Sequence, residues 1–117
     1  MQSEQAAAIE VTIDQAKKAV EIGEAVKRLE ANPDFQKVII EQFMETFAKQ
    51  LVWQRAMPEF ATRPEMVKRV DDKITAIGEL RAWLGVCKQQ GATAAYSIEV
   101  AERELANSED LDEEGEE

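Results

Sequence analysis

The side chains that could do chemistry in this 117-residue chain are mainly carboxylates, together with one thiol at Cys87 and no histidine. Without histidine there is no imidazole for acid–base catalysis, for a catalytic triad or for a histidine metal site. A single cysteine excludes an internal disulfide, and it cannot supply a cysteine-based zinc site within one chain. The residues that remain favour a protein that acts by binding.

The other common catalytic patterns are also missing. None of the five glycines belongs to a phosphate-binding loop motif. A site made of carboxylates alone stays open because glutamate is abundant, but no pair stands out from the spacing of a solvated helical face. The sequence therefore predicts a protein that is not an enzyme and that holds no metal or cofactor.

The acidic residues are distributed unevenly along the chain. The segment 107–117 has no lysine or arginine, and its seven acids are Glu109, Asp110, Asp112, Glu113, Glu114, Glu116 and Glu117. Without them the net charge of −10 falls to −3. Such a block is typical of a solubilising tail or of a tail that docks on a basic partner. No basic patch is present, so we expect no direct binding to nucleic acid.

Helical periodicity predicts an all-α fold of three to four helices, with a long N-terminal helix, a helical hairpin core and the acidic C-terminal tail. The length predicts one domain over 1–106. The first helix covers 1–31 and has its apolar residues on two stripes, which are Ile9, Ile13, Ala16 and Val20, then Ile22, Val26 and Leu29. The shift between them argues against an uninterrupted heptad seam, and Gly23 lies where a bend would fall.

Asn32 and Pro33 predict the start of the second helix, 33–57, because asparagine caps helix N-termini and proline suits the first turn. Apolar residues cover more than half of this helix, which predicts a central position with two or more neighbours. Pro58 ends it. A capping box at Thr62–Glu65 predicts the start of the next helix.

The third helix is predicted over 64–90, with Gly91 as a left-handed C-cap. A fourth is predicted over 93–106, although the break at Gly91 is the weakest, so the two helices could be nearly continuous. The third helix has a main stripe and a side stripe. The main stripe contains Met66, Val67, Val70, Ile74, Ile77 and Leu84, and the side stripe contains Leu80, Trp83 and Cys87.

Several residues could contact a partner. Trp53 and Trp83 have apolar neighbours, which favours burial, and the alternative is an anchor in an interface. Gly78, Ala82 and Gly85 form a small-residue ridge, which indicates close approach of another backbone, from this chain or from a second subunit. Arg81 and Lys88 lie near the middle of the main stripe, so each either extends to solvent or marks where that stripe meets a partner.

Two segments of the chain carry a family resemblance. The run Leu29–Phe35, followed by Val38–Glu41, and the later run Ile74–Leu80 resemble small helical proteins of tailed bacteriophages. The resemblance covers Leu29 to Gly91, about half of the chain. It implies a structural or head-assembly role, with no catalytic residues to carry over.

We therefore expect a virion structural or head-assembly protein that binds a larger capsid, portal or other virion protein through helical apolar surfaces, in multiple copies or as a homo-oligomer. The alternatives are an acidic inhibitor that imitates DNA, and a scaffolding or chaperone-like adaptor that is absent from the mature particle. The unpaired cysteine and the lack of a signal peptide or an apolar span predict a place in the virion or host cytoplasm, away from membranes.

Overall fold

The computed structural model describes the backbone of residues 2–116 and the side chains of residues 4–107. Its helices are α1 (Gln2–Ala31), α2 (Pro33–Phe35), a π-helical segment (Gln36–Phe47), α3 (Ala48–Ala56), α4 (Pro58–Ala61) and α5 (Pro64–Glu116). No strand occurs between residues 2 and 116. The all-α prediction, with its long N-terminal helix, is confirmed.

The packing divides the chain into two compact units. Unit 1 contains Met1–Val26 and Cys87–Glu117, and unit 2 contains Lys27–Val86. Both α1 and α5 therefore contribute residues to both units. The expectation of a single domain over 1–106 stays a prediction, and each unit is described by itself below.

The break after α1 is built by side chains that replace lost backbone hydrogen bonds. The Oδ1 atom of Asn32 accepts hydrogen bonds from the amides of Asp34 and Phe35, at 2.9 and 3.2 Å. The side-chain amide of Gln36 donates to the carbonyl of Glu30 at 2.7 Å, close to the end of α1. The N-cap predicted at Asn32 is confirmed, with Pro33 in the first turn.

The helical run from Pro33 to Ala56 matches the predicted helix 33–57 within one residue. Met57 leaves helical geometry with ψ of 135°, as expected for the residue before a proline. The sequence did not predict the π-helical segment of 12 residues in the middle of this run. Most π-helical turns occur singly inside α-helices, often at functional sites, so a segment of this length is unusual.

The predicted division of the C-terminal part into helices 64–90 and 93–106 is wrong, because α5 continues through Gly91. No glycine among the described residues has positive φ, so Gly91 is not a left-handed cap. It belongs instead to a continuous seam of buried and half-buried residues, spaced alternately by three and four. The seam consists of Leu84, Cys87, Gly91, Ala94, Ile98, Ala101 and Leu105.

Two further predictions about helix ends need correction or fall outside what is described. Thr62 does not form a capping box with Glu65, because its hydroxyl donates to the carbonyl of Pro58 at 2.9 Å. Helix α5 extends to Glu116, beyond the predicted end at Ala106. The side chains of the seven acids between Glu109 and Glu117 lie outside the described residues, so the role of the acidic tail stays a prediction.

Unit 1 has a core of small and medium-sized residues. Its buried side chains are Ile13, Val26, Cys87, Ala94 and Ala101. Gly23 is also buried and continues the spacing of Ile13, Ala16 and Val20, whereas Ile22 is 53% exposed. The predicted interruption of the α1 seam is therefore wrong. The apparent shift arose because Gly23, which has no side chain, occupies a seam position.

Unit 2 has a core of larger side chains. Met44, Leu51, Val70 and Ile77 are buried together, and Leu51 is the one side chain in the described residues that is fully buried. Half-buried residues from both sides complete this core, and they are Ile39, Ile40, Phe47, Ala48, Ile74 and Leu84. The core therefore joins one face of the Pro33–Ala56 run to one face of α5.

Candidate functional site

An open groove lies beside the core of unit 2. It is lined by Met44, Glu45, Ala48, Lys49, Val52, Trp53 and Arg81, and we call it the Trp53 groove. The π-helical segment and α3 supply six of these residues, and α5 supplies Arg81. The groove combines an apolar surface with one acidic and two basic side chains, so its own charge is one positive.

An ion pair holds α3 against α5 near the other end of the same core. The Nε atom of Arg55 donates to Asp71 at 2.6 Å, and a second guanidinium nitrogen donates to the other carboxylate oxygen at 3.3 Å. This hydrogen bond and the charge of Asp71 raise the pKa of Arg55. Arg55 of α3 pairs with Asp71, and Met44 of the earlier π-helical segment lines a groove with the later residue Arg81, so the two helical runs are antiparallel.

Both tryptophans are on the surface of unit 2, so the interpretation that favoured burial is wrong. The side chain of Trp53 is 68% exposed and that of Trp83 is 60% exposed. Their burial was predicted from apolar neighbours in the sequence, but such neighbours occur on both sides of these helices. Only one side of each helix is covered by the core of unit 2. Exposed tryptophan is uncommon on a free protein surface and is enriched in interfaces.

Arg81 has no carboxylate within reach along its own helix. Its neighbours three and four positions away are Ile77, Gly78, Leu84 and Gly85. It is exposed and forms no ion pair with any side chain in the described range 4–107. Arg81 is therefore an exposed cation in the lining of the Trp53 groove, where a guanidinium can form paired hydrogen bonds with an incoming carboxylate.

The small-residue ridge is open. A methyl group added at Gly78 or Gly85 would have no atom within 4 Å, and Ala82 is exposed. Close approach within the chain therefore does not explain these glycines. Gly78 and Gly85 lie one turn before and one turn after Arg81 on the same flank of α5. The sequence-based grouping of Trp53, Arg81 and the ridge is thus compatible with one surface.

A second exposed apolar surface lies on another flank of α5. It consists of Leu80, Trp83 and Val86, which are 36%, 60% and 43% exposed, and we call it the Trp83 stripe. Glu79 is one turn before Trp83 and is also exposed. Cys87, which the sequence placed on this side stripe, is buried and belongs to the core of unit 1.

The close helix contact in this molecule is in unit 1, at two glycines that sequence reasoning assigned to other roles. A Cβ atom at Gly23 would lie 3.1 Å from the Cα of Gly91 and 3.2 Å from the carbonyl oxygen of Cys87. A Cβ atom at Gly91 would lie 3.1 Å from the Cα of Gly23. The signal that could have revealed this contact is the heptad position of both glycines.

Unit 1 also has a groove, but its lining side chains are small or uncharged. The residues are Thr12, Gln15, Ala16, Gln89, Gln90, Thr93, Ala94 and Ser97. It contains no titratable side chain and no large apolar residue. The Trp53 groove is therefore the better candidate for a functional site.

The described residues lack a metal cluster and a helix that could cross a membrane. Within the part of the chain that the structure describes, no group of three or more cysteine, aspartate or glutamate side chains is placed to hold a metal ion. None of the described helices combines the length and the apolar character needed to cross a membrane. Comparisons of the chain with protein-family models, curated proteins and solved structures find no match.

Proposed function

We propose that this chain is a non-enzymatic assembly protein that acts in several copies by docking the exposed apolar surfaces of unit 2. The observation that carries the proposal is the exposure of Trp53 and Trp83 on a unit whose apolar residues exceed what its own helices cover. Val38 and Val52 are also more than half exposed. The apolar circumference of the Pro33–Ala56 run indicates several neighbours, and α5 covers one face of it.

The proposed setting is the particle of a tailed bacteriophage, where the chain contacts a larger capsid, portal or other virion protein. This part of the proposal rests on the resemblance of Leu29–Glu41 and Ile74–Leu80 to small virion-cluster proteins. Its test is mass spectrometry of purified particles of the phage that encodes the chain. Presence in the particles supports a virion component, whereas presence in the lysate alone supports a scaffolding role.

The experiment that tests the assembly function is size-exclusion chromatography with light scattering on the full chain. It is repeated on a truncation that ends at Ala106. A stable oligomer that survives the truncation is the expected result, because the proposed surfaces lie in Lys27–Val86. A well-folded monomer at all concentrations would contradict self-assembly and would favour an adaptor or an acidic inhibitor.

A further inference from the structure

We propose that the Trp53 groove of one copy receives the Trp83 stripe of a second copy, with Glu79 of the second copy paired to Arg81 of the first. This inference rests on the proposed assembly function and deepens it by naming the two surfaces. The occupant follows from charge and shape on both sides of the contact.

The groove needs an occupant with apolar bulk and one carboxylate. Val52 and Trp53 supply an uncovered apolar wall, and Arg81 supplies a guanidinium without an ion-pair partner in the described range. Together with Glu45 and Lys49, the groove has one net positive charge on a chain of net charge −10. A helix that places a carboxylate beside large apolar residues satisfies both requirements.

The Trp83 stripe has those properties. Glu79, Trp83 and Val86 are spaced by four and three residues, so they lie on one side of α5. The residues three and four positions from Glu79 are Thr75, Ala76, Ala82 and Trp83, none of which is a cation. Glu79 also forms no ion pair with the described side chains. Its carboxylate is thus as available as the Arg81 guanidinium.

The ridge explains how a helix can come close enough. Gly78 and Gly85 flank Arg81 and have open space where a side chain would be. Glycine in a helix interior is less favourable than alanine, so two glycines on one exposed flank call for a compensating contact. A backbone that approaches this flank brings the carboxylate of Glu79 within reach of Arg81.

The two surfaces lie on different flanks of α5, so in the proposed arrangement each copy uses its groove on one neighbour and its stripe on another, which is a head-to-tail contact. A head-to-tail contact leaves one groove and one stripe free in each pair, and repetition produces a closed ring or a filament. A twofold contact of groove on groove would end at a dimer. This difference allows an experiment that separates the two arrangements.

The experiment uses two variants that each disable one surface. W53D disables the groove and W83D disables the stripe, and both positions are more than half exposed, so far-UV circular dichroism should match that of the unmodified chain. Y96D is the matched control, because Tyr96 is 66% exposed and lies in unit 1. We expect W53D and W83D to be monomeric alone and Y96D to assemble like the unmodified chain.

Mixing provides the decisive measurement. An equimolar mixture of W53D and W83D retains one intact groove and one intact stripe, so light scattering should give the mass of two chains. If the unmodified chain assembles but this mixture stays monomeric, the head-to-tail contact is wrong and the assembly function stands. If the unmodified chain is monomeric at all concentrations, both proposals fail.

Charge reversal tests the ion pair. R81E and E79R should each weaken association by about thirtyfold or more, as expected when one partner of an interfacial pair is lost. The double variant R81E/E79R should restore most of the affinity. Failure of restoration would overturn the pairing of these two residues. Loss of assembly in the chain truncated after Ala106 would overturn the proposed contact, since neither surface lies in 107–117.

Discussion

The two units bury their helices in different ways. In unit 1 the contact is made by small and medium-sized residues, and its closest point is backbone against backbone at Gly23 and Gly91. In unit 2 the contact is made by large side chains around Leu51, and large apolar residues are also left outside. Small residues can thus complete a seam within the chain, whereas unit 2 has more large apolar residues than its own helices cover.

The largest loss of stability is expected when the fully buried side chain of unit 2 is removed. Leu51→Ala should lower the free energy of unfolding by about 2–5 kcal/mol, because it removes transfer energy and leaves a cavity. Val52→Ala is the matched control, since Val52 is 54% exposed and its change should stay within about 0.5 kcal/mol. Urea unfolding followed by circular dichroism measures both. Equal losses for the two variants would contradict the assignment of the core.

The next largest loss of stability is expected when the close helix contact of unit 1 is broken by Gly91→Ala. A methyl group at Gly91 would press on the Cα of Gly23 at 3.1 Å and on the carbonyl oxygen of Ala19 at 3.2 Å. Both atoms are backbone, so the helices must separate. Forcing a methyl group into this contact costs about 1–3 kcal/mol, whereas alanine gains about 1 kcal/mol over glycine in helix propensity. Gly91→Ala should therefore lower the free energy of unfolding by up to about 2 kcal/mol. A higher urea midpoint for this variant would show that the contact is looser.

A gain in the free energy of unfolding, rather than a loss, is expected when a glycine of unit 2 is replaced by alanine. Gly85→Ala meets no atom within 4 Å, so the monomer should gain about 1 kcal/mol from helix propensity and from the reduced entropy of the unfolded chain. Urea unfolding at low protein concentration measures this gain. The same variant should weaken self-association, because its methyl group lies on the flank where a second backbone is proposed to approach.

The smallest effect concerns the Arg55–Asp71 ion pair, which is about half exposed on both sides. Arg55→Lys removes the paired hydrogen bonds but keeps the charge, so we expect only a slight decrease in the urea midpoint. The decrease should vanish in about 1 M salt, where exposed charges are screened. Because the pKa of Arg55 is raised, its contribution is present below the unfolded-state pKa and is lost only as pH rises through the folded-state pKa. A midpoint difference that varied between pH 5 and 8 would contradict this role.

Intrinsic fluorescence can show which unit a variant affects. Both tryptophans belong to unit 2, whereas circular dichroism follows the helices of both units. If the two signals coincide in Leu51→Ala and Gly91→Ala, the units unfold together. Separate transitions would show that each core melts independently.

The helical class and the first breaks could be predicted because local chemistry determines them. Asn32 caps its helix and Pro58 ends another in the predicted places. The predictions failed at Gly23 and Gly91, where propensity favours a bend or a cap and tertiary contact overrides it. The exposure of Trp53 and Trp83 could not be deduced, because periodicity identifies an apolar face without saying whether anything covers it. No local signal indicated the π-helical segment.

The glycine contact in unit 1 also limits how the two helices can be aligned. The two helix backbones come this close because each helix has a residue without a side chain at the point of contact, and the two glycines face each other. A slide of α1 by one turn would bring Gly23 against a residue with a side chain and would leave Gly91 facing another. The close backbone contact would then be lost, so the two glycines select one register of α1 along α5 over its neighbours.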